Sequence, residues 1–192
     1  MKNIFTIAII LAFTITSVNA QNISYKCYRG YVDAGYTFGS GNYDFGRFEV
    51  NTSYGYQINP YFFIGVGGGF HFMSSYKTPG MDIPYDTRDS KVDIPLFANA
   101  RCNILKGKIS PFIDLKGGTY VNNNGGLYVN LSVGCRISTK AKRAVNFSVG
   151  CTSEKLEFQT FSHFTSNYNL NYIRKPVMYH TEGITLKMGY EF

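Results

Sequence analysis

The sequence contains no tryptophan, and charged residues make up only 16% of its 192 positions. Beyond the N-terminal segment it has no run of ~20 consecutive apolar residues, the length that a membrane-spanning helix requires. Runs of helix-forming alanine, leucine and glutamate are also scarce. These absences argue against a helical membrane protein after the N-terminus and favour strands.

Glycine and aromatic residues are abundant instead, with 20 Gly, 16 Tyr and 16 Phe. High aromatic content is typical of strands. The formal net charge is +7, but the basic residues are scattered along the sequence. Nucleic-acid binding would need a basic stripe on one face, so no nucleic-acid partner is predicted.

The first 20 residues have the organisation of a secretory signal peptide. A short basic start at Met1–Asn3 precedes the apolar run Ile4–Ile15, and Val18–Ala20 supplies a cleavage site. An N-terminal anchor helix is the alternative, but no basic cluster follows the run. We expect residues 1–20 to be removed and residues 21–192 to form one outer-membrane domain.

Apolar and polar residues alternate with a period of two in eight segments, as in half-exposed strands. In Arg47–Gln57, every even position is apolar or β-branched and every odd position is polar or glycine. The fifth segment is the weakest, because Gly117 and Thr119 interrupt its apolar side. The predicted strands lie at 32–38, 47–57, 62–72, 91–104, 113–119, 128–137, 145–152 and 184–192.

The connections between these strands differ in length. Those near 58–60, 105–109 and 138–143 are short, whereas 73–90 and 154–180 are long. This arrangement is typical of an eight-stranded antiparallel up-and-down transmembrane β-barrel. With an even number of strands, both termini are expected on the short-turn side, in the periplasm of a Gram-negative bacterium.

Alternation alone does not decide which face is outside, because a soluble lipocalin-like barrel carries its apolar residues inside. The polar face here is rich in glycine, which makes room for long side chains in a narrow lumen. The apolar face has no charge through its middle, and aromatic residues gather at its ends, as at membrane interfaces. We therefore predict that the apolar face contacts outer-membrane lipid.

The polar face then supplies charges of both signs to the lumen. Arg101 is expected opposite or diagonal to Asp114, and an ion-pair network should form because unpaired charges would be costly there. Such a network is either structural packing or a path for protons or ions. Its predicted members are Asp33, Arg47, Glu49, Lys91, Asp93, Arg101, Asp114, Lys116, Arg136, Lys187 and Glu191.

Four cysteines in an exported chain raise the question of disulfides. The turn between the sixth and seventh strands places Cys135 opposite position ~146 rather than opposite Cys151. We expect free thiols, and a structural bridge is the alternative.

Several segments resemble the small eight-stranded outer-membrane barrels, in particular the Bacteroidetes-type outer-membrane β-barrel domain. They are Gly55–Gly67, Ile94–Arg101, Ser110–Asp114 and the C-terminal Met188–Phe192. The resemblance implies that Tyr190 and Phe192 form the signal read by the barrel-assembly machinery. It implies fold and location but no activity.

The favoured function is a non-enzymatic surface anchor whose outer loops bind an extracellular ligand in adhesion or recognition. The segment 154–180 suits this function because it is rich in aromatic and small polar residues. The alternative is that the neighbouring strands continue through it above the membrane. Its aromatic residues include Phe158, Phe161, Phe164, Tyr168 and Tyr172.

A membrane-embedded hydrolase or acyltransferase is the second hypothesis. Its candidate bases are His71, His163 and His180, but no serine or aspartate stands at a recognisable spacing from them. A soluble lipocalin-like binder is the third hypothesis. Such proteins usually have a tryptophan near the first strand, and this sequence has none. The Cys and His spacings match no metal motif, so neither cofactor nor metal is predicted.

Overall fold

A computed structural model describes residues 27–41, 44–78, 86–122, 126–139, 143–166 and 169–192, and within 161–174 it describes the backbone alone. The predicted signal peptide, residues 1–20, lies outside the described residues. The described residues form eleven strands. They are β1 (Cys27–Ser40), β2 (Arg47–Gln57), β3 (Phe62–Met73), β4 (Tyr76–Lys77), β5 (Asp86–Arg88), β6 (Lys91–Asp93), β7 (Pro95–Asn103), β8 (Ile109–Tyr120), β9 (Leu127–Ser138), β10 (Ala144–Ser166) and β11 (Asn169–Glu191).

The eight long strands close into an antiparallel barrel, as predicted. Each pairs with its neighbours along the chain, and β11 closes the barrel by pairing with β1 from Tyr31↔Glu191 to Ser40↔Glu182. The weak fifth segment is the full-length strand β8. We call the end with the 58–61, 104–108 and 139–143 connections and both described chain ends the turn end, and the opposite end the loop end. Within the described residues, no helix is long and apolar enough to cross a membrane.

The two faces of the barrel wall differ as predicted. Val66 is 70% exposed and Leu131 52% exposed on the outer surface, whereas Asp114 and Lys116 inside are 2% and 1% exposed. Since side chains alternate across a strand, the period-two pattern separates an apolar outer wall from a polar lumen.

Glycine in the inner wall leaves space for the side chains that fill the lumen. A Cβ added at Gly134 would lie 2.7 Å from the ring of Phe112 and 2.7 Å from the Cβ of Ser148. A Cβ added at Gly189 would lie 2.5 Å from Oδ1 of Asp33. Larger residues at these positions would displace the packed interior.

The segment 154–180, predicted first as a loop, is an extension of two strands. Strands β10 and β11 stay paired to Ser166↔Asn169, well beyond the barrel rim. The inward alternation continues in this extension, since Leu156 and Phe158 are 0% and 1% exposed. Within the other long connection, β5 pairs with β10 and β4 pairs with β5. Residues 79–85 of that connection lie outside the described part.

All four cysteines are free thiols, as predicted. Cys135 faces Phe147 across β9 and β10, one residue from the predicted partner, and Cys151 faces Leu131. The side chains of Cys135 and Cys151 are exposed on the outer wall. They are four positions apart in this register, so a bond between them has no suitable geometry.

Candidate functional site in the barrel lumen

The ten lumen residues predicted from the sequence line the interior of the barrel, and all except Arg136 are buried. They form ion pairs from the turn end to the loop end, and apart from Arg47 and Glu49 on β2 the partners are on different strands. The eleventh candidate, Lys91, lies at the rim, where its side chain is 37% exposed and its Nζ is 3.5 Å from Asp93.

At the turn end, one carboxylate serves two guanidinium groups. Arg136 donates from Nε and Nη2 to the two oxygens of Glu191, at 2.6 and 2.8 Å. A further bond joins Arg136 Nη1 to Ser138 Oγ at 2.6 Å. Arg29 also pairs with Glu191. Two cations therefore share one buried anion, and a positive charge is left over.

The next level centres on Arg101, which faces Asp114 across β7 and β8. Its Nε donates to Asp114 Oδ1 at 3.0 Å, and the same oxygen accepts from Asn99 at 2.8 Å. The guanidinium lies 4.2 Å from the ring centroids of both Tyr31 and Phe112. Cation–π contacts of this kind are stronger when desolvated. Side chains fill the lumen here.

Two lysines occupy the middle of the lumen. Lys116 pairs with Asp33 across the interior, and Lys187 donates to Asn130 Oδ1 at 2.5 Å. Glu49 is completely buried, and its carboxylate lies 3.6 Å from Lys187 and 3.5 Å from Arg47. Each anion has a cation beside it, which offsets the cost of burial.

Nearer the loop end, five side chains form a closed ring. Arg47 pairs with Glu154 and lies beside Glu49, and Tyr120 donates to Glu154. His71 completes the ring, with Nδ1 2.8 Å from Tyr120 Oη and Nε2 3.5 Å from Glu49. His71 is 0% exposed. The ring is shielded from solvent and joins residues of β2, β3, β8 and β10.

An aromatic cluster lies above this ring at the loop end. Arg88 pairs with Asp93, and its guanidinium carbon is 5.9 and 5.7 Å from the ring centroids of Phe45 and Phe158. Phe158 also packs edge-on against Tyr76 at 5.8 Å. Residues from the long connection and from the extended hairpin thus cover the interior of the barrel.

Sequence reasoning missed three members of the network. Arg29 and Asp33 are four residues apart on β1, so the period-two alternation places both side chains on the lumen face and could have predicted Arg29. Glu154 continues the inward positions of β10, but the strand was predicted to end at 152. Arg88 comes from a long connection without periodicity, and no local signal marks it.

Of the histidines proposed as bases, His71 is the buried ring member and His180 is exposed on β11. The side chain of His163 lies outside the described part. No group of three or more His, Cys, Asp or Glu side chains in the described residues could hold a metal ion.

The C-terminal residues complete the seam between β11 and β1. Phe192 and Gly30 exchange two backbone hydrogen bonds, at 2.9 and 3.0 Å. A Cβ added at Gly30 would lie 2.5 Å from the Phe192 ring, so the ring covers this glycine. Tyr190 packs beside Phe192 with 6.5 Å between ring centroids. The two aromatics predicted as an assembly signal therefore lie at the turn end of the closing seam.

We expect Phe192→Ala to slow barrel closure, because the ring over the seam is lost while the backbone pairing is kept. The half-time of folding into lipid vesicles, followed by heat-modifiable gel mobility, should lengthen several-fold. Phe38→Ala, which removes a similarly exposed ring at the other end of β1, is the matched control. Equal slowing by both variants would contradict a specific role for the C-terminal aromatic.

No protein-family model matches the sequence, and a comparison with curated proteins finds no significant match.

Proposed function

We propose that the chain is an integral outer-membrane protein that anchors an extended loop-end hairpin for adhesion or recognition at the cell surface. The observation that carries this proposal is the outer wall of the barrel, which is apolar on every strand. The turn end would face the periplasm, and the barrel-assembly machinery would insert the chain.

The apolar surface has the dimensions of a membrane span. On β11 the outward positions from Ile184 to Phe192 are uncharged, and Glu182 and His180 follow on the loop side. At ~3.4 Å per residue this stretch is about 27 Å long. A strand tilt of ~40° reduces its height to about 20 Å, near the ~25 Å apolar band of outer-membrane barrels. The first outward charges of β10, Lys155 and Glu157, also lie beyond it.

Exposed aromatic side chains stand near both ends of this surface, as they do at membrane interfaces. Tyr54 and Tyr190 are 58% and 41% exposed toward the turn end, and Phe38 and Phe72 are 53% and 46% exposed toward the loop end. An exposed apolar area of this extent in water would promote aggregation. Lipid contact stabilises it.

The packed lumen favours anchoring over transport. Arg101 is held between two rings, and the aromatic cluster around Phe158 covers the loop end. An eight-stranded barrel has an interior just wide enough for such side chains. The proposed activity is therefore assigned to the part that extends beyond the barrel, namely the β10–β11 hairpin with β4 and β5 beside it.

The test is cell adhesion with a trimmed hairpin. Residues 161–174 are replaced by Asn-Gly, which joins the cross-strand partners Thr160 and Lys175 by a two-residue turn. A larger deletion from 154 would remove Glu154, Leu156 and Phe158 and so disturb the barrel interior. We expect cells carrying the full chain to bind a surface coated with extracellular matrix. Cells carrying the trimmed variant should fall to the level of cells without the protein.

Both forms must first be found in the outer-membrane fraction with heat-modifiable gel mobility, which serves as the control for folding. Recovery of the full chain in a soluble fraction would overturn the membrane proposal. Equal adhesion by the two forms would overturn the role of the hairpin.

A further inference from the structure

Several basic residues that are far apart in the sequence lie together at the turn end of the folded barrel. Arg29 and Arg136 reach this end from β1 and β9, Lys106 and Lys108 lie in one turn, and Arg143 lies in another. Among the described side chains at this end, Glu191 is the acidic partner, and it is already shared by two arginines.

A small cavity lies among these cations. Its volume is about 110 Å³, and it is lined by strand ends and by the 104–108 turn. At roughly 30 Å³ per molecule in liquid water, this space corresponds to three or four waters. The residues that give it its chemistry are Arg29, Gln57, Asn103, Lys106 and Arg136.

One buried nitrogen among the cations of the cavity has no hydrogen-bond partner, and an exposed lysine also lines the cavity. Arg29 Nε is buried and has no hydrogen-bond partner, although another nitrogen of the same group pairs with Glu191. Lys106 lies 5.1 Å from the ring centroid of Tyr61 and has no acidic partner among the described residues. A carboxylate in the cavity would compensate both charges, since guanidinium and ammonium groups form their strongest hydrogen bonds with such anions.

Two buried side-chain amides among the lining residues offer acceptors. Gln57 is 1% exposed and Asn103 is 5% exposed, and Oε1 of Gln57 and Oδ1 of Asn103 have no hydrogen-bond partner. The amide nitrogen of Gln57 is already committed to the carbonyl of Asn59, at 2.6 Å. A buried acceptor without a partner costs ~1–3 kcal/mol. A ligand for this site should therefore bring donors as well as a negative charge.

We propose that the turn-end cavity binds a small carboxylic acid that carries an amide N–H or a hydroxyl next to its carboxylate. The carboxylate lies against Arg29 and Lys106, and the donor faces Gln57 and Asn103. A phosphodiester fits less well, because it has no O–H and its oxygens would face the two amide oxygens. The site is independent of the hairpin function and lies at the other end of the barrel.

The test is a titration of the full chain in detergent micelles with N-acetylglycine, followed by NMR of the side-chain amides of Gln57 and Asn103. We expect saturable shifts of both signals. Lys106→Gln should raise the dissociation constant about tenfold, as expected for the loss of one charged hydrogen bond. Lys108→Gln, a neighbour with the same charge that does not line the cavity, should change it less than about twofold.

Acetamide and acetate separate the two halves of the recognition. Acetamide lacks the charge and acetate lacks the adjacent donor, so both should bind much more weakly than N-acetylglycine. Binding of acetate as tight as that of N-acetylglycine would overturn the proposal, as would equal weakening by Lys106→Gln and Lys108→Gln. Acetyl-triglycine then identifies the source of the ligand: undiminished binding indicates the end of a longer chain, and lost binding indicates a free acid.

Discussion

Replacing Asp114 with alanine is expected to lower the free energy of unfolding of the barrel by about 3 to 5 kcal/mol, because it leaves a buried guanidinium without its anion. Arg101 is 4% exposed, and its Nε donates to Asp114 at 3.0 Å. The two rings beside Arg101 hold it in place and prevent it from turning toward solvent. Denaturant unfolding of the chain in lipid vesicles measures the loss.

The double variant Arg101→Met with Asp114→Leu separates the cost of an unpaired charge from the value of the pair. Apolar replacement of a buried ion pair is often neutral. The double variant should therefore lose only about 1 to 2 kcal/mol of unfolding free energy, less than Asp114→Ala. Part of this loss comes from Asn99, which donates to Asp114 at 2.8 Å. A double variant as unstable as Asp114→Ala would contradict the explanation by unpaired charge.

Val149→Arg is expected to destabilise the membrane-embedded barrel by about 2 to 4 kcal/mol, the cost of an arginine on the lipid face near the bilayer midplane. Val149 is 44% exposed and pairs with Leu186 and Val133. All three lie in the middle of the uncharged outer wall. Equilibrium unfolding in phosphatidylcholine vesicles gives the free-energy difference from the unchanged chain.

Val145→Arg is the matched control, on the same strand and the same face. It pairs with Tyr190 near the turn end, where the cost of an outward arginine falls to about 0 to 1 kcal/mol. If the two variants lose the same stability, then depth in a bilayer does not govern the outer wall, and the assignment to the membrane fails. The comparison does not depend on the hairpin or on the turn-end cavity.

The fold could be predicted because period-two alternation is local. In Arg47–Gln57 it marks both the strand and the face of each residue. The predicted bounds agree within one residue for β2 and β3, whereas β1 and β8 begin five and four residues before their predicted starts. At 154–180 it left a loop and continued strands both open, because outward polar residues such as Lys155 and Glu157 resemble loop composition; the structure has the continued strands. Leu156 and Phe158 fall at the inward positions of the same alternation. The prediction did not use them to extend the strand.

The candidate sites were predicted less completely. Arg101 and Asp114 were placed together because they flank one turn and face each other in its register. Arg136 and Glu191 were assigned to the lumen, but Arg29, three strands from Arg136 around the barrel, was missed. The turn-end cavity needs residues from four strands and two turns, and spacing within one segment contains no information about such a set.

The sequence alone determined the strand number, the antiparallel order and the separation of an apolar wall from a polar lumen, since each follows from neighbours along the chain. The tertiary structure decided which lumen charges pair. Asp33 and Lys116 are on strands that are not hydrogen-bonded to each other. They meet across the interior because barrel closure sets the tilt and stagger of all eight strands together.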